Sequence, residues 1–217
     1  MSRKKAINHL RKSDPVLRKL IDAHPDFDPR AWLTELPPLD PFGALLFQIA
    51  GQQLSVQSTR SIIHRIQELF GGRLPSPDEV FSTAPETLLR TGLSRRKVAT
   101  LREVARRFSQ GSLSEKELRS LSDSEVEERL TSIRGIGPWT VQGFLIIALA
   151  RPDVVLPGDL ALRKVIRRVY GLRRLPSQAE VLKIAEPWRP YRSLATSYLF
   201  QAAFDSASVA TRGTSAS

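Results

Sequence analysis

Apolar residues recur at spacings of three and four along almost the whole chain, and convincing alternation is scarce. That period puts apolar side chains on one stripe of an α-helix, so it commits the chain to packed helices rather than sheets. Phe42, Leu45, Leu46 and Ile49 share a face in residues 42–50. Ile62, Ile63, Ile66, Leu69 and Phe70 do so in 57–70, where Gly71-Gly72 ends the helix. Ser76-Pro77-Asp78-Glu79 and Ala84-Pro85-Glu86 read as starts of two short helices with proline in the first turn. Residues 96–108 form a basic amphipathic pattern, and Ser122 with Glu125 makes a capping box ahead of 123–131. Residues 140–150 are apolar nearly all round and are expected to be buried. Residues 160–170 bury Leu162, Val165, Ile166 and Val169 and turn Arg163, Lys164, Arg167 and Arg168 to solvent; residues 191–204 close the pattern.

The expected architecture is all-α, about ten helices joined by short loops, with no internal repeat. Residues 22–41 are proline-rich and read as a linker or wrapping arm, and the small polar segment from Ser206 reads as a frayed tail. The expected organisation is an N-terminal helix and arm over 1–37, a main domain over 38–205 and a flexible tail over 206–217.

Charge narrows the partner. Thirty-three Lys and Arg against 22 Asp and Glu leave +11 over 217 residues. The pI near 10.6 points to a polyanion, with nucleic acid favoured over an ordinary basic surface. The chain has no cysteine, which excludes disulfides, iron–sulfur clusters and thiol catalysis. His9, His24 and His64 lack ligand spacing, so a structural zinc is not expected. The basic start MSRKKAINHLRKSDPVLRKL lacks the apolar run of a signal peptide, and no segment is apolar enough to span a bilayer. A soluble, intracellular monomer is expected: cytoplasmic, and nucleoid-associated in a bacterium.

Ile133-Arg134-Gly135-Ile136-Gly137-Pro138 separates two helical patterns. Glycine at 135 and 137 permits positive φ and close backbone approach, and Pro138 suits the first turn of a helix. The amides of Gly135, Gly137 and Thr140 would then face outward at a helix N-terminus and could hold a phosphate oxygen without reading sequence. Asp159 stands before the basic pattern 160–170. Taken alone, an Asp there is a helix N-cap worth about 0.5–2 kcal/mol.

Residues 130–150 resemble the helix-hairpin-helix of the base-excision DNA glycosylase superfamily. In that superfamily a glycine–proline-rich loop and a catalytic aspartate follow, where VVLPGDLALRK stands here. AGQQLSVQST upstream and AEPWRPYRSLATSYLF downstream resemble the alkyl-base branch, the 3-methyladenine DNA glycosylase II type, in a compact form without an N-terminal β-domain. The resemblance implies a two-lobed helical fold with a central cleft, damaged double-stranded DNA as partner, and Asp159 as the catalytic carboxylate. It implies base flipping, with Gln53 and Leu54 as the wedge that fills the gap; the glutamine pair flanked by Gly51 and Ser55 suggests an exposed turn, against a plainer reading of Leu54 as core. It also implies a base pocket drawing on Trp139, Phe200 and, less directly, Tyr198. Bifunctional members carry a lysine where GIGPW has Trp139, so the resemblance implies hydrolysis without strand cleavage. One departure stands out. The branch often has an aromatic one turn after the tryptophan, and Gly143 there implies a roomier or less stacking pocket.

Arg95, Arg96 and Lys97 on one helix and Arg163 and Lys164 on another are the expected basic DNA track. No redox cofactor is implied; the family's hairpin can hold a Na or K ion on main-chain carbonyls, here those of Thr131, Ile133 and Ile136. Two other readings share these residues. A non-catalytic helix-hairpin-helix module would need the hairpin and basic faces but not Asp159, and a glycosylase–lyase for oxidised bases would need the missing lysine.

Overall fold

The computed structural model describes residues 2–31 and 39–213, with side chains placed through Ala203. Residues 32–38 of the proline-rich arm and 214–217 of the tail lie outside the described residues. Those described form thirteen α-helices and no strand. They are α1 (Arg3–Ser13), α2 (Pro15–Ala23), α3 (Pro41–Gly51), α4 (Val56–Leu69), α5 (Pro77–Ser82), α6 (Pro85–Leu89) and α7 (Arg95–Ser109). Then follow α8 (Glu115–Ser120), α9 (Asp123–Thr131), α10 (Pro138–Ile147), α11 (Leu160–Val169), α12 (Gln178–Ile184) and α13 (Arg192–Gly213). The helices beyond the expected number include α8 and α12, with 6 and 7 residues, too short for a 3.6-residue stripe to repeat. Their caps specify them instead: Ser114 and Ser177 each accept from the amide three residues on.

The helices fall into two compact units, Met1–Ala31 with Arg151–Ser217, and Trp32–Ala150. The N-terminal segment is therefore not an appendage to a 38–205 domain. It is two helices, broken where Asp14 caps α2 and Pro15 takes its first position. Asp14 Oδ1 accepts from the amides of Val16 (2.8 Å) and Leu17 (3.0 Å). Its Oδ2 accepts from Tyr170 Oη (2.7 Å) and Trp188 Nε1 (3.0 Å), which tie α2 to the end of α11 and to the 3₁₀ turn Glu186–Trp188. Phe27, on the described part of the expected arm, packs on Tyr198 with ring centroids 4.9 Å apart. The last helix runs on to Gly213, past the Ser206 at which fraying was expected, because nothing in FDSASVATR breaks a helix.

In the second unit α3 is the core element, packed by α4, α7 and α10 and buried from Pro41 to Leu46. Phe42 meets Phe108 of α7 edge to face at 5.6 Å. Ile62, Ile63 and Ile66 of α4 and Val98, Leu101 and Val104 of α7 are buried, each on the stripe its spacing foretold.

Candidate nucleic-acid interface and active site

The hairpin joins α9 to α10. Ile133 and Ile136 are buried and anchor the loop, and the Ile136 amide donates to the Ile133 carbonyl (3.0 Å). Gly135 takes φ +98°, and a Cβ there would lie 2.1 Å from Thr100 Oγ1, so only glycine fits. Thr100 in turn donates to the Arg134 carbonyl (3.0 Å), fastening α7 to the loop. Gly137 precedes Pro138, the first residue of α10, with no side-chain cap. Among the described residues the amides of Gly135 and Gly137 donate to no protein acceptor, as a phosphate site requires. Thr140 departs from expectation. It is 2% exposed, its amide donates to the Gly137 carbonyl (3.0 Å), and its hydroxyl accepts from Gln52 Nε2 (3.0 Å). It is a strut inside the hairpin, not a donor on its face.

Gln52 also donates to the Gly135 carbonyl (2.9 Å), binding the turn after α3 to the hairpin. Sequence reasoning missed this residue; the GQQLS string flagged a turn but not which glutamine braces it. In that turn Gln53 takes φ +58°, a conformation costing a non-glycine residue about 1–3 kcal/mol. Gln53 is exposed and Leu54 is 43% exposed, with Val56 beside it at 52%, so the core reading of Leu54 does not hold. Strain and apolar exposure together mark a turn shaped for contact rather than stability.

Arg95 and Arg96 are exposed in the first turn of α7, beside the Ser94 cap. Cations there oppose the helix dipole, so stability does not explain them. Lys97 is only partly on the track: its Nζ donates to the Ala50 carbonyl (2.8 Å), and burial pushes its ammonium pKa down. It satisfies a carbonyl in the last turn of α3. In the first unit Arg163 is similarly committed, Nε donating to the Pro176 carbonyl (2.7 Å), whereas Lys164 is exposed. Long side chains near unpaired carbonyls are drawn to them, which spacing alone does not show.

Asp159 caps α11, Oδ1 accepting from the Leu162 amide (2.8 Å), and its side chain is half-buried. The preceding strip Val154–Pro157 is buried, and its start is pinned to α13. Asp153 takes Arg192 Nε at 2.7 Å and Arg189 at 2.9 Å. Ser193 donates to the Arg151 carbonyl (2.6 Å) and accepts from the Val154 amide (3.0 Å). Asp153 is thus neutralised by arginines, while Asp159 is held by a helix N-terminus. That contact fixes the position of the carboxylate at the mouth of the helix.

Trp139, in the first turn of α10, and Phe200, on α13, are half-buried. Tyr198 is fully buried and spent on Phe27, with burial pushing its phenol pKa up; it belongs to the core rather than to a base pocket. The roomier pocket expected from Gly143 is not found either. The space a side chain would take is filled by the Gln48 carboxamide. No group of three or more acidic or histidine side chains suited to a metal occurs among the described residues, and no helix there is long and apolar enough to cross a membrane.

The profile of the HhH-GPD superfamily base excision DNA repair proteins matches residues 47–190. DNA-3-methyladenine glycosylase 1 of Schizosaccharomyces pombe is 32% identical over 199 residues, covering 91% of this chain and 86% of the relative. The alkylbase DNA glycosidase-like protein mag2 of the same yeast is 31% identical over 172 residues, covering 78% and 81%. A solved structure of the S. pombe 3-methyladenine DNA glycosylase with abasic DNA superposes with a TM-score of 0.83 over 91% of this chain and 95% of that one. With a phosphate-ready hairpin, a capped carboxylate and a profile spanning both, the chain belongs to the HhH-GPD superfamily of base excision DNA repair proteins.

Proposed function

We propose that this chain is a monofunctional DNA glycosylase that expels an alkylated base such as 3-methyladenine or 7-methylguanine from duplex DNA and hydrolyses its N-glycosidic bond. The observation that carries the reading is Asp159, a half-buried carboxylate fixed at the α11 N-terminus by the Leu162 amide at 2.8 Å.

The chemistry explains why one acid suffices. Hydrolysing an O-glycoside typically takes two carboxylates, because the leaving oxygen must be protonated. An N-alkylated purine already carries positive charge and leaves neutral, so no general acid is required. What remains is an oxocarbenium-like sugar and an attacking water. A fixed anion stabilises the first and orients or deprotonates the second. The Gly135 and Gly137 amides hold a backbone phosphate, Arg95, Arg96 and Lys164 add sequence-independent affinity, and Leu54 with Gln53 occupies the vacated stack. Trp139 supplies an aromatic face for an electron-poor base. The carbonyls of Thr131, Ile133 and Ile136 can take a Na or K ion; Ile133 spends one lone pair on the Ile136 amide and keeps the other. Trp139 replaces the lysine amine that a lyase would use to form a Schiff base, so the product is an intact abasic strand.

The test is single-turnover base release from methylated duplex DNA. Asparagine caps helices as well as aspartate does, so Asp159→Asn keeps the fold while removing the charge. Release is expected to fall by at least about a hundredfold, the lower end for a lost general base. Wild-type rates in Asp159→Asn would end the assignment, and borohydride trapping of an enzyme–DNA adduct would end the monofunctional reading. No release by either protein, with tight salt-sensitive binding intact, would favour the non-catalytic module.

A further inference from the structure

Helix α3 reads PFGALLFQIAG, apolar but for one residue, and that residue, Gln48, is buried to 6% exposure. A buried carboxamide normally has partners, because an unpaired one forfeits its hydration for nothing. Among the described residues no hydrogen bond reaches the Gln48 side chain, and its polar atoms are not sealed from solvent. Its place is set by Gly143. A Cβ built there would lie 2.5 Å from Gln48 Oε1, 2.6 Å from Cδ and 2.6 Å from Nε2. The near-equal distances mean that the amide lies face-on against the Gly143 Cα. Gly143 is one turn beyond Trp139, so the indole and the amide occupy successive stations along one face of α10.

An amide offers a donor and an acceptor side by side, the pattern that pairs bidentately with the exocyclic amine and adjacent ring nitrogen of adenine. Gln48 therefore sets an unmet donor–acceptor pair beside an aromatic proposed to stack on the expelled base. We infer that Gln48 is a specificity-determining residue that reads the amine edge of an expelled adenine-type base, 3-methyladenine being the type, and that residue 143 is glycine to make room for it. The inference rests on the glycosylase reading above.

Three substitutions test it in the whole chain. Gln48→Met and Gln48→Leu keep volume and remove hydrogen bonding. Gly143→Ala leaves Gln48 in the chain but pushes its amide aside; the displaced atoms are the end of a flexible side chain, and alanine favours a helix over glycine, so this variant folds. Single-turnover release of 3-methyladenine is expected to drop about tenfold or more in all three, from the loss of one bidentate contact. Affinity for a duplex carrying a tetrahydrofuran abasic site, which has no base edge to read, and the melting temperature of Gly143→Ala should be unchanged. Unaltered release by the Gln48 variants, or an equal fall in abasic-duplex affinity, overturns the inference while leaving Asp159 in place. Absence of base release by the wild type would remove both readings.

Discussion

Asp14→Ala is the substitution whose cost the structure defines most fully. The 6% exposed carboxylate accepts four hydrogen bonds, two from the first-turn amides of α2 and two from the side chains of Tyr170 and Trp188. Losing the helix cap costs about 1 kcal/mol. The Trp188 indole N–H is fully buried and the Tyr170 hydroxyl half-buried, and each donor left without an acceptor costs about 1–3 kcal/mol. Water entering beside Tyr170 recovers part of this, so about 3–5 kcal/mol is the expected loss. For a chain of this length that lowers the melting temperature by about 6–20 °C, readable by calorimetry. Asp14→Asn keeps a cap and one acceptor and should lose less than half as much. A double-mutant cycle with Tyr170→Phe should show coupling of about 1 kcal/mol or more, because the phenylalanine removes the donor that alanine strands. A loss below about 1 kcal/mol in Asp14→Ala would refute the reasoning, since the cap alone accounts for that.

Two further outcomes follow from surface charges. Arg96→Ala should flatten the slope of log K for DNA against log salt by about 0.9 and leave melting unchanged, whereas Lys97→Met, which strands the Ala50 carbonyl, should lower the melting temperature as well. Glu103 is held at a pKa of about 2 by hydrogen bonds from Arg106 and Arg107. Its folded pKa lies below the ordinary 4.5, so its contribution is present above about pH 4.5 and lost as pH falls toward 2; Glu103→Gln should differ from wild type near neutrality and converge with it in acid unfolding.

What was legible in the sequence is what depends on neighbours three or four residues away. The helix start at Ser76-Pro77, the capping box at Ser122, the helical stripes, the hairpin turn at Gly135 and the Asp159 cap are all specified within one turn of chain, and the structure has each. The exposed turn at Gln53 and Leu54 was legible for the same reason, since glycine, paired glutamines and serine disfavour a continued helix. Tertiary structure alone decided which polar groups found each other. Asp14 meets residues 156 and 174 positions away, Gln52 meets the hairpin at 83 and 88, and Lys97 meets Ala50 at 47. The same holds for Thr140 and Arg163, expected at the DNA and found bracing backbone, and for Gln48, which fills the space Gly143 leaves. Periodicity tells which face of a helix is buried, but a polar side chain's partner is whatever packing brings within 3 Å, and that is fixed only when helices far apart in sequence meet.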